Sequence, residues 1–305
     1  MKTNEMRHRK FLVICENTLA DALTVIPALE TLKQKRPGIQ IDLLAPGLYP
    51  IRHAYQSIVT VIDHEPISKL DRKQRFKWLK EQHYQWAWNT ENENSHWRRI
   101  FEVVNHPTWI SAPPNPKRSV LELRRKQLNK LFPEVDHATA PLLELTLEQA
   151  QERQSFLSQF AQGFRLIGVQ PEIKSPQLLP AEKYMELIGA LLKQSENVII
   201  LFLRSEEKAI IENSFPKNER LVVITDPVQQ IIPQLAACDL FIGPNTGIYH
   251  LAFALRYPVI GIFKNRKSKN IWGYRSKRTK AVFPSFPKRK ISIKSILKSV
   301  DDLLK

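Results

Sequence analysis

Residues 242–255, IGPNTGIYHLAFAL, carry the residue types and spacing in this chain with the clearest capacity for chemistry. An apolar run ends in Gly243-Pro244-Asn245-Thr246-Gly247, and a helix pattern starts at once, with His250 in its first turns. A helix N-terminus presents unpaired N–H groups and roughly half a positive charge, which together suit a diphosphate. Small residues at 245–247 let an anion approach the backbone. Asn245, Thr246 and Gly247 are therefore the candidate contacts, and His250 lies one turn further on. The residues alone leave a plainer alternative open: Asn or Thr as an ordinary N-cap and a histidine satisfied within the fold.

Other chemistries lack their residues. No GxGxxG follows the first apolar run, no GxxxxGK[ST] occurs, and the chain has only 9 glycines, which disfavours dinucleotide fingerprints and kinase-type phosphate loops. The absence of CxxC and HExxH leaves a metal site without support, and the absence of GxSxG argues against an esterase. Cys15 and Cys238 each sit within apolar runs, as expected of free core thiols in a reducing compartment. No run approaches the roughly 18–20 apolar residues that span a bilayer. The N-terminal FLVICENTLAD turns polar too soon for a signal-peptide core, so a cytoplasmic protein is expected.

The formal net charge is +16, and its placement says more than its size. Between Lys264 and Lys305 stand fourteen Lys/Arg and two Asp, which is three-quarters of the excess. Such a block predicts a polyanionic partner: nucleic acid, an anionic membrane face or a phosphorylated substrate. A solvated basic surface with no specific partner is the alternative. No RRM, KH or zinc-finger signature accompanies the charge, so no nucleic-acid partner is expected.

The elements that must position these residues alternate between strand and helix. FLVIC (11–15), IQIDLLAP (39–46) and VTVID (59–63) read as strands. A helix lies between the first two, capped by Asn17 or Thr18, kinked at Pro27 and stopped by Arg36-Pro37-Gly38. Residues 66–105 mix Lys/Arg with Trp78, Trp86, Trp88 and Trp97, either helices with a partly exposed aromatic and basic face or, by preference, buried core tryptophans. Residues 136–163 read as a linker and an acidic helix. The alternation then restarts with RLIGVQ, NVIILFL, RLVVIT, DLFIG and PVIGIF as strands, and with Asp226 and Pro227 opening one of the helices between them. This α/β pattern predicts two Rossmann-like doubly wound domains, residues 1–160 and 161–288, with a central cleft where such folds bind ligands. The tail 289–305 is an amphipathic helix expected to pack back on the N-terminal domain.

FIGPNTGIYHLAFALRYPVIGIF resembles a segment of the ADP-heptose:lipopolysaccharide heptosyltransferases (glycosyltransferase family 9), roughly IG-x-D-[ST]-G-x-x-H-L-A-x-A-L-x-x-P-x-[IV]-x-[IL]-[FY]-G. The opening LVICENTLADALTVIPALETLKQKRPGIQIDLLA is similar to that family's first strand, loop and helix. The resemblance spans most of the chain. It implies a GT-B fold, with the nucleotide-sugar held by the C-terminal domain and the acceptor by the N-terminal one. It also implies inverting, metal-independent transfer of a heptose from an ADP-sugar to the inner core of lipopolysaccharide, with no cofactor beyond that donor substrate.

Asp21 falls on the family's general base, where a carboxylate takes the proton of the attacking acceptor hydroxyl; a first-turn carboxylate favoured by the helix dipole is its structural alternative. Thr246, Gly247 and His250 match the diphosphate-binding helix start. Glu206 falls near a family Glu that contacts the ribose. Four departures follow from the resemblance. Asn245 replaces the family's Asp, Ala20 its Gly before the base, and Lys264 its Gly after FIGIF. In PEIKSPQLLPAEKY the phosphate lysine is either Lys174 or, by alignment on Leu179-Pro180, Gln177. Lys264, Arg266, Lys267 and Lys269 open the basic block, which would hold the protein on the cytoplasmic face of the inner membrane and against an anionic lipid A acceptor. A non-catalytic sugar-nucleotide or glycan-binding relative is the other reading that Asn245 leaves open.

Overall fold

The apolar run that opens the chain folds as strand β1 (Lys10–Ile14), and Thr18 then caps helix α1 (Leu19–Lys35), its hydroxyl accepting the Asp21 N–H. The helix runs on through Pro27, which is buried, and ends at Arg36. The computed structural model describes residues 9–15, 18–90, 108–110, 118–137, 139–172, 178–215, 218–284 and 290–305. The chain divides into two units, Met1–Pro141 and Leu142–Lys305.

The first unit continues with β2 (Gln40–Leu44), a 3-10 segment (Pro46–Tyr55), β3 (Thr60–Ile62), α2 (His64–Ser68), α3 (Arg72–Gln82), β4 (Trp86–Asn89), β5 (Thr108–Ile110) and α4 (Val120–Asn129). Its strands form one parallel sheet ordered β3-β2-β1-β4-β5. The chain leaves β1 toward one edge and returns to its other side at β4, the reversal typical of doubly wound sheets. Local pattern did not mark β4. Trp88 is fully buried there and Trp86 sits beside it, because this four-residue run is held by pairing with β1 rather than by its own periodicity. Trp78 lies on α3 against Tyr84. Trp97 falls outside the described residues.

The second unit comprises α5 (Leu147–Leu157), β6 (Arg165–Val169), α6 (Ala181–Leu192), β7 (Asn197–Phe202), a 3-10 turn (Ser205–Glu207), α7 (Lys208–Ser214), β8 (Leu221–Ile224), α8 (Ile232–Ala237), β9 (Leu240–Pro244), α9 (Gly247–Ala254), β10 (Val259–Ile262), α10 (Arg266–Trp272), β11 (Thr279–Val282) and α11 (Ile293–Leu304). All six strands run parallel in the order β11-β10-β9-β6-β7-β8. β7 and β9 are buried along their whole length, as a sheet covered on both faces requires.

Three boundaries differ from the sequence reading. The division between units falls at Pro141, not residue 160, because α5 belongs to the second unit: Arg153 Nε donates to the Ala236 carbonyl of α8 at 2.8 Å, and Phe156 is buried. Helix α8 begins at Ile232 with Pro233 in its first turn, and Asp226 precedes it in a turn segment. Helix α11, which the sequence reading set on the N-terminal domain, seats Ile293, Ile296 and Val300 in the core of the second unit, with Leu187, Leu191 and Ile260. Amphipathic spacing shows that a helix has a buried face but not which body buries it. Cys15 and Cys238 are both buried, and neither forms a disulfide. Among the described residues, no helix is long and apolar enough to cross a membrane, and no three His, Cys, Asp or Glu cluster as metal ligands would.

Candidate functional site

In the second sheet the strand order reverses between β6 and β9, so the loops leaving those two strands flank its switch point. The chain leaves β9 through Pro244, Asn245 and Thr246 straight into α9. Thr246 occupies the N-cap position with extended backbone, yet its side chain caps nothing. Its hydroxyl donates instead to Gln170 Oε1 at 2.5 Å, tying the loop after β9 to the loop after β6. The hydroxyls of Thr18, Ser119 and Thr146, by contrast, each accept a first-turn N–H of their own helix. The first N–H groups of α9, which starts beside the switch point, therefore have no side-chain cap from Thr246.

Behind this turn lies His250, fully buried. Its Nδ1 pairs with the Tyr274 hydroxyl at 2.6 Å and its Nε2 with Asn245 Oδ1 at 2.9 Å. The rings of Tyr249, Trp272 and Tyr274 stand edge-on to the imidazole, with centroids 5.1, 5.9 and 5.3 Å away. Gly261 on β10 lets these aromatics pack, since a Cβ there would lie 2.6 Å from the Phe263 ring and 2.8 Å from Tyr249. Burial among these rings disfavours the charged imidazolium and pushes the His250 pKa down to about 3. His250 is thus a buried, satisfied histidine that reaches the open turn only through Asn245, which is partly exposed.

A pH dependence of stability follows. Below pH 6.5, the ordinary value, the unfolded chain takes up a proton that the folded ring refuses. Stability that is complete above that pH is lost as pH falls toward 3, by ~1.4 kcal/mol per unit at most. Between pH 7 and pH 5 the native chain should lose ~2 kcal/mol more in urea unfolding than a His250→Gln variant. Equal slopes for the two would show that the ring is not held neutral.

Of the remaining residues marked in this half, Lys174 and Gln177 lie outside the described residues. Glu206 is exposed on the 3-10 turn after β7, in a loose ion pair with Arg204 at 3.8 Å. The buried carboxylate there is its neighbour Glu207, whose Oε2 accepts the Arg204 N–H at 3.2 Å. Lys264, Arg266 and Lys267 are exposed and Lys269 is partly so, on the turn leaving β10 and on α10. Among the described residues none of the four forms an ion pair. The same segment runs on to Trp272 and Tyr274, so the basic turn and the His250 surroundings are one stretch of chain.

The first unit brings Asp21 to the corresponding reversal, between β1 and β4. Thr18 Oγ1 accepts the Asp21 N–H and donates its own proton to Asp21 Oδ2 at 2.8 Å. Arg124 Nη2 of α4 stands 3.5 Å from Oδ1, and its Nη1 donates to the Thr90 carbonyl at 2.6 Å, at the end of β4. Arg124 is only 6% exposed. Gly47 allows the loop after β2 to pass over this turn, since a Cβ there would lie 2.6 Å from Leu19 N. Sequence reading named Asp21 but missed Arg124. The available signal was an arginine on the apolar face of α4, in register with Val120, Leu123 and Leu128. Two lone-pair directions of Asp21 are occupied, and a carboxylate offers about four, so the group keeps the capacity to accept a further proton donor.

Comparison with known proteins agrees with this architecture. The model of "Glycosyltransferase family 9 (heptosyltransferase)" matches residues 61–300. A Haemophilus influenzae protein with a provisional glycosyltransferase assignment is 26% identical over 291 residues, covering 85% of this chain and 83% of its own. A family 9 glycosyl transferase from Veillonella parvula superposes with a TM-score of 0.79 at 16% identity, covering 98% of both chains. The E. coli ADP-heptose lipopolysaccharide heptosyltransferase II gives 0.71 at 16% identity, over 97% of this chain and 98% of that one. E. coli heptosyltransferase WaaC, solved with ADP, gives 0.67 at 15% identity, over 96% and 99%. At these identities the structures speak for the fold, which is that of the GT-B glycosyltransferases.

Proposed function

This chain belongs to glycosyltransferase family 9 and is a sugar transferase; from that premise we propose that it moves a heptose, or a related sugar, from an ADP-sugar onto the inner core of lipopolysaccharide. One observation carries the donor side: the uncapped start of α9 at the switch point, where the Thr246 hydroxyl is turned away to Gln170 and the N–H groups are left for a diphosphate. Those N–H groups and the helix dipole stabilise the charge that develops on the leaving diphosphate, so the proposed reaction uses no metal and no cofactor. On the acceptor side, Asp21 takes the proton of the attacking hydroxyl. That oxygen forms the new bond to the anomeric carbon, the bond to the diphosphate breaks, and ADP leaves with the electron pair, inverting the centre.

Lys264, Arg266, Lys267 and Lys269, which form no ion pair among the described residues, suit a phosphorylated lipid acceptor and an anionic bilayer, and the proposed site of action is the cytoplasmic face of the inner membrane. The test is transfer to heptose-deficient inner-core lipopolysaccharide with ADP-heptose, UDP-sugars and GDP-sugars offered in parallel, followed by mass spectrometry. Product from ADP-heptose is expected; product only from UDP- or GDP-sugars overturns the donor. Asn245, where the resembled motif has Asp, favours one other reading, a binding protein that takes ADP without turnover. Tight ADP binding with no product from any donor would establish it.

A further inference from the structure

The hydrogen bonds around His250 determine which end of the Asn245 side chain is presented to a ligand. An amide oxygen only accepts, so the 2.9 Å contact between Asn245 Oδ1 and His250 Nε2 requires the proton on Nε2. The neutral ring then has its lone pair on Nδ1, and that lone pair accepts the Tyr274 hydroxyl at 2.6 Å. The chain of three runs in one direction: Tyr274 donates to His250, and His250 donates to Asn245. With Oδ1 turned to His250, the donor end of this partly exposed amide is Nδ2, which makes no hydrogen bond among the described residues.

We propose that Asn245 donates an Nδ2 N–H to the donor diphosphate, and that His250 and Tyr274 are positioning residues which fix the amide in that sense. The proposal rests on the diphosphate reading of the α9 start. It gives a physical role to the residue by which this chain departs from the resembled motif. A carboxylate at 245 would accept the same His250 N–H, but its second oxygen would turn a negative acceptor toward an anion. This chain instead adds a neutral donor beside the backbone N–H groups and needs no cation to offset a charge.

Calorimetric titration of the full chain with ADP, in chelator, tests it. The expected order of affinity is native, then Asn245→Ala, then Asn245→Asp, with about tenfold lost at the first step through a hydrogen bond to a charged group and a further loss at the second. Added Mg²⁺ should recover binding to the Asp variant and leave the Ala variant unchanged. In Tyr274→Phe the ring loses the donor that holds its tautomer, so ¹⁵N spectra should show protonation of Nδ1 appearing together with weaker ADP binding. Asn245→Asp binding ADP as tightly as the native chain in chelator, or Asn245→Ala matching the native affinity, overturns the proposal while leaving the diphosphate seat intact. A native chain that binds neither ADP nor any other nucleoside diphosphate removes the seat and the proposal together.

Discussion

Asp21→Asn is expected to lower the rate of sugar transfer about 10²–10⁴-fold, the range a positioned general base contributes, and to leave ADP affinity unchanged. The amide keeps the volume of the carboxylate and can still accept the Thr18 hydroxyl and cap contacts, so the start of α1 is preserved. What it loses is a basic oxygen. Because donor binding is assigned to the other unit, the loss should appear in kcat with the donor KM unmoved. The variant also removes the Asp21 charge from beside Arg124, at a site where that side chain is nearly buried. A stability cost of about 1–3 kcal/mol is expected for that reason, so the assay belongs well below the melting transition. Transfer retained at the native rate in a folded variant would remove Asp21 from the role of base and return it to a first-turn carboxylate that serves the helix dipole.

Replacing Lys264, Arg266, Lys267 and Lys269 by glutamine should weaken binding to vesicles rich in anionic lipid by roughly 10²–10³-fold, at ~1 kcal/mol per basic residue near such a surface. These side chains are suited to the task because no carboxylate among the described residues neutralises them. Lys280, by contrast, is spent on Asp302 at 3.4 Å. Binding of the native chain should fall steeply as salt rises, since screening shortens the reach of exposed charges. It should also be negligible on vesicles of neutral lipid. ADP affinity of the fourfold variant should match the native value, which separates surface attraction from the donor site. A variant that still binds anionic vesicles like the native chain would show that the contact is made elsewhere.

The strands and the helix start were legible in the sequence because each is written in local terms. FLVIC and VIILFL are continuous apolar runs of the length a covered parallel strand needs, IQIDLLAP is a mainly apolar one, and all three are strands of the two sheets. Thr18, one of the two caps the sequence offered beside Asn17, caps α1. The turn at 243–247 joins β9 to α9 as its glycines and proline indicated. The same local logic failed for β4, a four-residue run that is a strand because β1 pairs with it, and for α8, which starts at Ile232 rather than at Asp226.

Residue types and local spacing determined Asn245, Thr246, Gly247 and His250 as candidate groups at the helix start after the apolar run, and the resemblance to the family's opening added Asp21. Only tertiary structure decided their partners. Arg124 reaches Asp21, Gln170 draws the Thr246 hydroxyl away from the cap, and Tyr274 sets the His250 ring that orients Asn245. The first two contacts join positions far apart in the chain and form because β1 lies beside β4 and β6 beside β9, and Tyr274 reaches His250 from the segment that follows β10, the other neighbour of β9. Strand order depends on the burial of both sheet faces and on the path of the crossovers, neither of which is encoded in a window a few residues wide. The protonation of His250 is of the same kind. Its composition allows either form, and the aromatic rings packed around it exclude the charged one.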